Sequence, residues 1–289
     1  LSMIRKIRRF LTVLLVVALF AVSFFLYGVY ISVERINLNY ESIASAKIPQ
    51  DLNQVNIAFI TDLHYNGFMN QERLTSMFEK INSTDPDVII FGGDLFDDTA
   101  NQMPDESKQA ELLNLLKSLE APLGKFAVLG EQDETSESMK EIAKSILYQA
   151  DFELLENRSI RIRNESNSSI TLFGIDSMVN GVPNIEQAFA DINANEFNIV
   201  VTHCPDLISE IPTTAVDLMF AGHSHGGQIR IPFFGPIATV EGAKNYSYGT
   251  QQVGNTLLHI SNGLGTTGYD MRLFAPPEVL IYRLIADQA

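Results

Sequence analysis

The sequence predicts an α/β protein of two packed sheets with helices outside, preceded by one membrane-spanning helix. Three observations carry this expectation. An uncharged apolar run opens the chain, short apolar strands then alternate with amphipathic helices, and the second half is dominated by strands.

The run from Phe10 to Ser32 carries no charge and is long enough for the roughly 20 apolar residues that cross a bilayer. Arg5, Lys6, Arg8 and Arg9 stand directly before it. The positive-inside tendency therefore puts residues 1–9 in the cytoplasm and the bulk of the chain on the extracytoplasmic side, as a single-pass protein of the cell membrane. A cleaved signal peptide would have an apolar stretch of about 7–15 residues ending in a small-x-small site. Here the run is longer, and the nearest such triplet, Ala44-Ser45-Ala46, lies well past its end. Residues 10–32 are thus expected to anchor the chain in the bilayer, 33–54 to connect, and 55–285 to fold as one domain.

Val55–Ile60 is a short β-rich run, and Leu74, Met77, Phe78 and Ile81 follow at the i, i+3, i+4, i+7 spacing of a helix with one buried face. Asp85-Pro86 ends that helix, and Val88–Phe91 is the next buried strand, leading into Gly92-Gly93-Asp94. The cycle repeats with Leu112, Leu115, Leu116 and Leu119 on a helix, Phe126–Leu129 on a strand, and Met139, Ile142, Ala143 and Ile146 on another helix. Between them, the acidic stretch from Asp97 to Glu111 reads as a solvated insertion. Further on, 159–163 and 170–175 flank a polar turn like a hairpin, and strands are expected at 198–202, 216–221, 256–260 and 279–284.

Composition narrows the function. With 289 residues, 46% hydrophobic and 19% charged, the chain is a folded protein with a sizeable core. The lone cysteine, Cys204, closes no intrachain disulfide and reads as packing. A net charge of -15 argues against a nucleic-acid partner, because phosphate backbones are held by clustered Lys and Arg. Without the four N-terminal cations, 16 basic residues face 35 acidic ones, a balance of -19. A body so acidic is repelled by anionic lipid, so the apolar helix is the expected means of attachment to the bilayer.

Four of the five histidines sit at strand exits: His64 after 55–60, His203 after 198–202, and His223 and His225 after 216–221. His259 lies inside a strand and reads as an ordinary strand residue. In α/β sheets, ligand sites gather outside the carboxyl ends of strands. Asp62 and Asp94 leave strands in the same way. Carboxylates with neutral imidazoles hold Mn, Fe or Zn, and a two-metal site needs a shared carboxylate among some six or seven ligands. Asp62, His64, Asp94, His203, His223 and His225 nearly supply that set.

Asp62-Leu63-His64, Gly93-Asp94, Thr202-His203 and Gly222-His223-Ser224-His225-Gly226-Gly227-Gln228, in this order, resemble the calcineurin-like metallophosphoesterases. Gly263–Thr267 and Pro276-Pro277-Glu278 further resemble the membrane-associated branch, which acts on phosphate esters and pyrophosphates of lipids and lipid-linked sugars. The resemblance spans roughly Val55 to Leu284. It implies a four-layered α-β-β-α sandwich of two mixed sheets, with two divalent metal ions at one edge. Carried over, Asp62, His64 and His225 bind the first metal, Asp94 bridges, and His203 and His223 bind the second. It also implies hydrolysis of a phosphodiester or pyrophosphate by a metal-bridging hydroxide.

The family's Gly-Asn-His-Asp/Glu motif reads here Gly130-Glu131-Gln132-Asp133. Glu131 replaces an amide metal ligand and, as a carboxylate, still coordinates. Gln132 replaces a histidine that stabilises phosphoryl oxygens and protonates the leaving group; an amide donates a hydrogen bond but no proton. Asp133 and Glu134, read as solvated loop carboxylates, would be deprotonated near pH 7 and poor substitutes. The expectation is a hydrolase suited to leaving groups that need little protonation. The alternative is a metal-binding protein that holds a phosphorylated ligand without turning it over. Phe233-Phe234-Gly235-Pro236 reads as a turn packing its own aromatics, with an apolar lip against lipid as the other possibility.

Overall fold

The computed structural model describes residues 2–97 and 103–287. Helix α1 (Ser2–Tyr27) runs on through a π-helical turn at Gly28–Ser32. Its cationic start is helical as well, so the helix begins before the expected Phe10. Within Met3–Ser32 the most apolar stretch buries none of its residues against the other described parts of the chain. A core helix would bury one face; this one presents apolar side chains all round.

After it, β1 (Asn37–Ser45), β2 (Asn56–Ile60), α2 (Gln71–Asn82), β3 (Val88–Phe91), α3 (Glu106–Lys117), β4 (Lys125–Ala127), α4 (Glu137–Gln149) and β5 (Phe152–Leu154) build the first half. The second half contains β6 (Arg158–Ile162), β7 (Ile170–Ile175), the one-turn α5 (Ile185–Ala188), β8 (Asn198–Thr202) and β9 (Leu218–Ala221). A small ribbon follows, β10 (Arg230–Ile231) with β11 (Gly235–Pro236), and then β12 (Gly249–Val253), β13 (Thr256–Ile260) and β14 (Glu278–Ala286). One sheet has the order β1-β14-β2-β3-β4-β5 and the other β12-β13-β9-β8-β7-β6. Both are mixed: β14 is antiparallel to β2 while β2, β3 and β4 are parallel, and β6 and β12 are antiparallel edges on parallel β7, β8, β9 and β13.

The central strands are apolar on both faces because both faces are covered. Ile57 and Phe59 of β2 and Val88 and Ile90 of β3 pack with Ile199, Val201, Leu218 and Phe220 between the sheets. The alternate residues Ala58, Ile60, Ile89 and Phe91 pack under α2, α3 and α4. On α2, Asn70 caps the first turn through Arg73 N, and Leu74, Met77, Phe78 and Ile81 are buried, each contributing about 1.5–3 kcal/mol. The fourth layer is thin. Val200, Met219 and Phe173 are covered by α5 and the 3-10 turn Pro205–Ser209 rather than by long helices.

Segment 33–54, expected to be a connection, carries β1, which pairs with β14 along nine residues. Its side chains are exposed or half-buried, so no continuous apolar run announces it. Of the acidic stretch, 98–102 lie outside the described residues, whereas Asp97 is buried rather than solvated and Glu106–Glu111 open α3.

The two sheets meet in an aromatic stack. The rings of Phe59 and Phe220 lie 5.0 Å apart, Tyr282 meets Phe220 edge-on at 5.2 Å, and the Tyr282 hydroxyl is hydrogen-bonded to His259 Nδ1 at 2.7 Å. Burial holds the His259 pKa down at about 4. The stability that its neutral form contributes is present above the unfolded value near 6.5 and is lost as pH falls through about 4, by up to roughly 3 kcal/mol. In urea denaturation, His259→Gln is expected to narrow the stability difference between pH 7 and pH 4.5 relative to the unsubstituted chain.

Candidate metal centre

Strands β2, β3 and β4 are parallel neighbours in one sheet, and β8 and β9 in the other, and all five release the chain at the same end. Asp62 and His64 leave β2, Asp94 leaves β3, Glu131 and Gln132 follow β4, His203 follows β8, and His223 and His225 follow β9. The exits are sewn together by main-chain hydrogen bonds, Asp62 N to Gly93 O at 2.9 Å and Gly222 N to His203 O at 3.0 Å. The Asp62 carboxylate accepts from His223 N at 3.0 and 3.1 Å, which joins the sheets directly.

Tight approach dictates the local sequence. A Cβ on Gly130 would stand 2.1 Å from Asp94 Oδ1, and one on Gly222 would stand 2.3 Å from Thr61 Oγ1 and 2.5 Å from Asp62 Oδ2. Five of the clustered residues also hold left-handed backbone, with φ of 55° at Asp62, 47° at His64, 61° at Asp94, 67° at His223 and 51° at His225. Such conformations cost on the order of 1–3 kcal/mol each and persist where surrounding structure imposes them.

The side chains converge. His64 Nε2 is 3.0 Å from His225 Nε2, and Asp62 Oδ1 lies 4.0 and 3.7 Å from these two nitrogens. His223 Nδ1 is 3.0 Å from Glu131 Oε2. Asp94 Oδ2 stands between the two groups, 3.5 Å from His64 Nε2 and 3.2 Å from His203 Nε2. Among the described residues, three sets have ligand atoms within 4.8 Å of one another and could each hold a cation: Asp62, His64 and His225; Glu131, His203 and His223; and Asp62, Asp94 and His203.

The donor chemistry fits cations. His203 Nδ1 donates to Gly92 O, His225 Nδ1 to Gly265 O, and His223 Nε2 to Glu241 O. Each bond fixes the ring and turns its other nitrogen toward the carboxylates, the outer support that metal-binding histidines require. His64 Nδ1, His203 Nε2 and His223 Nδ1 are buried and have no hydrogen-bond partner among the described residues. Burial pushes His223 down to about 4 and His225 well below its ordinary value, so both rings are neutral there. Their lone pairs face carboxylate oxygens, and acceptor against acceptor inside a protein is the arrangement a divalent cation resolves.

The carboxylates respond differently. Burial raises Asp62, and burial with the Asp94 charge raises Glu131 to about 7. Burial would raise Asp94 as well, but His203 and His64 outweigh it and hold it below the usual carboxylate range. Burial opposes a charged His203, yet the Asp94 carboxylate reverses the effect and lifts it well above its ordinary value.

A cavity of about 280 Å³ opens onto this cluster, lined by His64, Glu131, Gln132, His223 and His225 on one side and by Ile229, Ile237 and Val240 on another. The Gln132 side chain is 3.3 Å from Glu131 Oε1. Cys204 is buried beside Ser177, in none of the three ligand sets. His259 lies away at the sheet interface.

Asp133 is not a solvated loop carboxylate. Fully buried, it accepts from the main-chain N–H of Asp94 at 2.8 Å, Leu95 at 2.9 Å and Gly130 at 3.0 Å. Burial and the neighbouring Asp94 charge raise it to about 7. Glu134 pairs with Lys140 at 2.5 Å. Arg272 gave no signal in the sequence, yet it is fully buried and donates to the carbonyls of Asn262, Gly263, Gly265 and Ala275 beside His225. Asp133→Asn puts an NH₂ opposite a backbone N–H, and we expect a loss of about 1–3 kcal/mol in urea denaturation.

Known proteins share this arrangement of sequence. The profile of the calcineurin-like phosphoesterases matches residues 55–227. The metallophosphoesterase YkuE of Bacillus subtilis is 30% identical over 259 residues, covering 89% of this chain and 88% of that protein. The UDP-2,3-diacylglucosamine pyrophosphatase LpxG of Chlamydia muridarum is 28% identical over 292 residues, covering 81% of this chain and 84% of that protein. With most of its length matched and all five strand exits inside or beside that match, the chain belongs to the calcineurin-like phosphoesterase family.

Proposed function

We propose that the chain is a membrane-anchored, extracytoplasmic phosphohydrolase that cleaves a phosphodiester or pyrophosphate, with a lipid-linked substrate as the favoured case. Asp62, His64 and His225 would hold one divalent cation, and Glu131, His203 and His223 a second, with Asp94 between them. The observation that carries this reading is that one oxygen, Asp94 Oδ2, faces both histidine groups, at 3.5 Å from His64 and 3.2 Å from His203. Mixed carboxylate and imidazole donors suit Mn, Fe or Zn. When bound, such a pair supplies an activated water and neutralises charge on phosphoryl oxygens.

The protein's own residues set the leaving group. Gln132 lines the cavity and can donate its amide hydrogen to a phosphoryl oxygen, but it holds no proton to give. A departing phosphate, with a second pKa near 6, leaves as an anion unaided, whereas an alkoxide does not. This favours pyrophosphates, and the similarity to a named diacylglucosamine pyrophosphatase points the same way. Anchoring is supported by the exposed apolar helix and by its firm seat on the domain. Gly28 is buried, its carbonyl accepts from Arg272 N at 3.0 Å, and Arg73 donates to Val33 O. Arg5, Lys6, Arg8 and Arg9 support a cytoplasmic N-terminus.

The test is turnover of a panel of pyrophosphates, diesters and alkyl monoesters with Mn²⁺ by three forms of the chain. Asp94→Asn is expected to lose roughly 10²–10³-fold or more on every substrate. Gln132→His should gain on alkyl monoesters relative to pyrophosphates, by up to about 10²–10⁴-fold, the usual worth of a general acid. If the unsubstituted chain shows no rate above the Asp94→Asn background while Gln132→His acquires one, the chain binds a phosphorylated ligand rather than hydrolysing it.

A further inference from the structure

The ribbon of β10 and β11 forms a wall of the cavity at its base: Ile237 N donates to Ile229 O at 3.1 Å, and both side chains line the cavity. Its tip is the turn Ile231-Pro232-Phe233-Phe234, closed by Phe234 N to Ile231 O at 3.0 Å. Contrary to the sequence expectation, this turn does not pack its own aromatics. Phe233 is 105% exposed and Phe234 86% exposed. Phe233 also sits at φ 71°, the position of a proline-led turn where glycine is favoured. A bulky side chain there is strained and stays exposed among the described residues, so the fold described offers no return for an aromatic at this place.

The ribbon is tied to the end of the apolar helix. The Phe24 ring is 6.1 Å from that of Phe274, Arg272 N donates to Gly28 O, Leu273 N donates to Gln228 O at 3.0 Å, and Arg230 N returns to Leu273 O at 2.9 Å. The Arg230 guanidinium bonds Phe274 O as well. Phe24 lies within the uncharged run, so the ribbon starts level with the segment that meets the bilayer. From Arg230 to Phe233 the chain reaches at most about 10 Å, which matches the depth of roughly 5–10 Å at which interfacial elements sit. Tyr27, Tyr30, Tyr269 and Phe274 are exposed around the same point, and such aromatic residues favour the membrane interface. With a body of -19, net charge does not draw the domain to anionic lipid, and the exposed side chains at the tip of the ribbon are apolar.

We propose that the 229–237 ribbon is a second membrane contact: Phe233 and Phe234 enter the bilayer surface beside the anchor, and the cavity opens on lipid. A phosphorylated amphiphile then reaches the metal centre along Ile229, Ile237 and Val240 with its apolar part still in contact with the membrane. This rests on the membrane-anchored reading above.

The chain contains no tryptophan, so Phe233→Trp, Phe20→Trp and Tyr148→Trp are each single-tryptophan reporters in the full chain. They are reconstituted in phosphatidylcholine vesicles containing lipids brominated at shallow or deep acyl positions. Phe20→Trp reports the anchor, and Tyr148, exposed on α4, reports water. The expected result for Phe233→Trp is a blue-shifted emission lost to the shallow bromines and protected from aqueous iodide. If Phe20→Trp is quenched by lipid while Phe233→Trp behaves like Tyr148→Trp, the ribbon stays in water and the proposal is overturned. If Phe20→Trp also escapes the lipid, the anchored reading fails and this inference falls with it.

Discussion

Electrostatic crowding at one edge of the sandwich is the constraint on which the rest depends. Asp62, Asp94 and Glu131 are gathered with four imidazoles, and the nearest heavy atoms are 3.0 to 4.0 Å apart. Two of the carboxylates are buried, and no Lys or Arg pairs with them among the described residues. A cluster of this kind would repel itself in a low-dielectric interior, and binding divalent cations turns the same atoms into an attractive set.

Much of the surrounding structure enforces that crowding. Parallel strands deliver the residues to one end, left-handed backbone turns them inward, and glycines at 130 and 222 let neighbouring loops approach. Three backbone carbonyls orient the histidine rings, while buried Asp133 collects the amides that follow β3 and β4. The same supports hold Glu131 in place beside His203 and His223. The main chain around it is fixed by Asp133 and Asp94, and from there the carboxylate reaches His223.

The central strands and the clustered site were legible because buried parallel strands are continuous apolar runs and because Asp and His at strand exits are conspicuous in a chain with few histidines. Edge strand β1 was not, since Asn37–Ser45 contains no continuous apolar run and none of its side chains is buried. Asp133 and Arg272 were missed for a related reason. Their roles lie in hydrogen bonds to main-chain atoms of other loops, which no residue spacing encodes. Phe233 and Phe234 were misread because hydrophobic residues in a turn normally pack inward, and the sequence contains nothing about what the turn faces.

Whether the crowded cluster holds a pair of cations is read by calorimetric titration of the metal-stripped chain with Mn²⁺, beside its Asp94→Asn variant. Two ions per chain are expected, with the variant retaining one at most at comparable affinity. Failure of the chain to bind Mn²⁺, Fe²⁺ or Zn²⁺, or identical binding by the variant, would contradict that expectation.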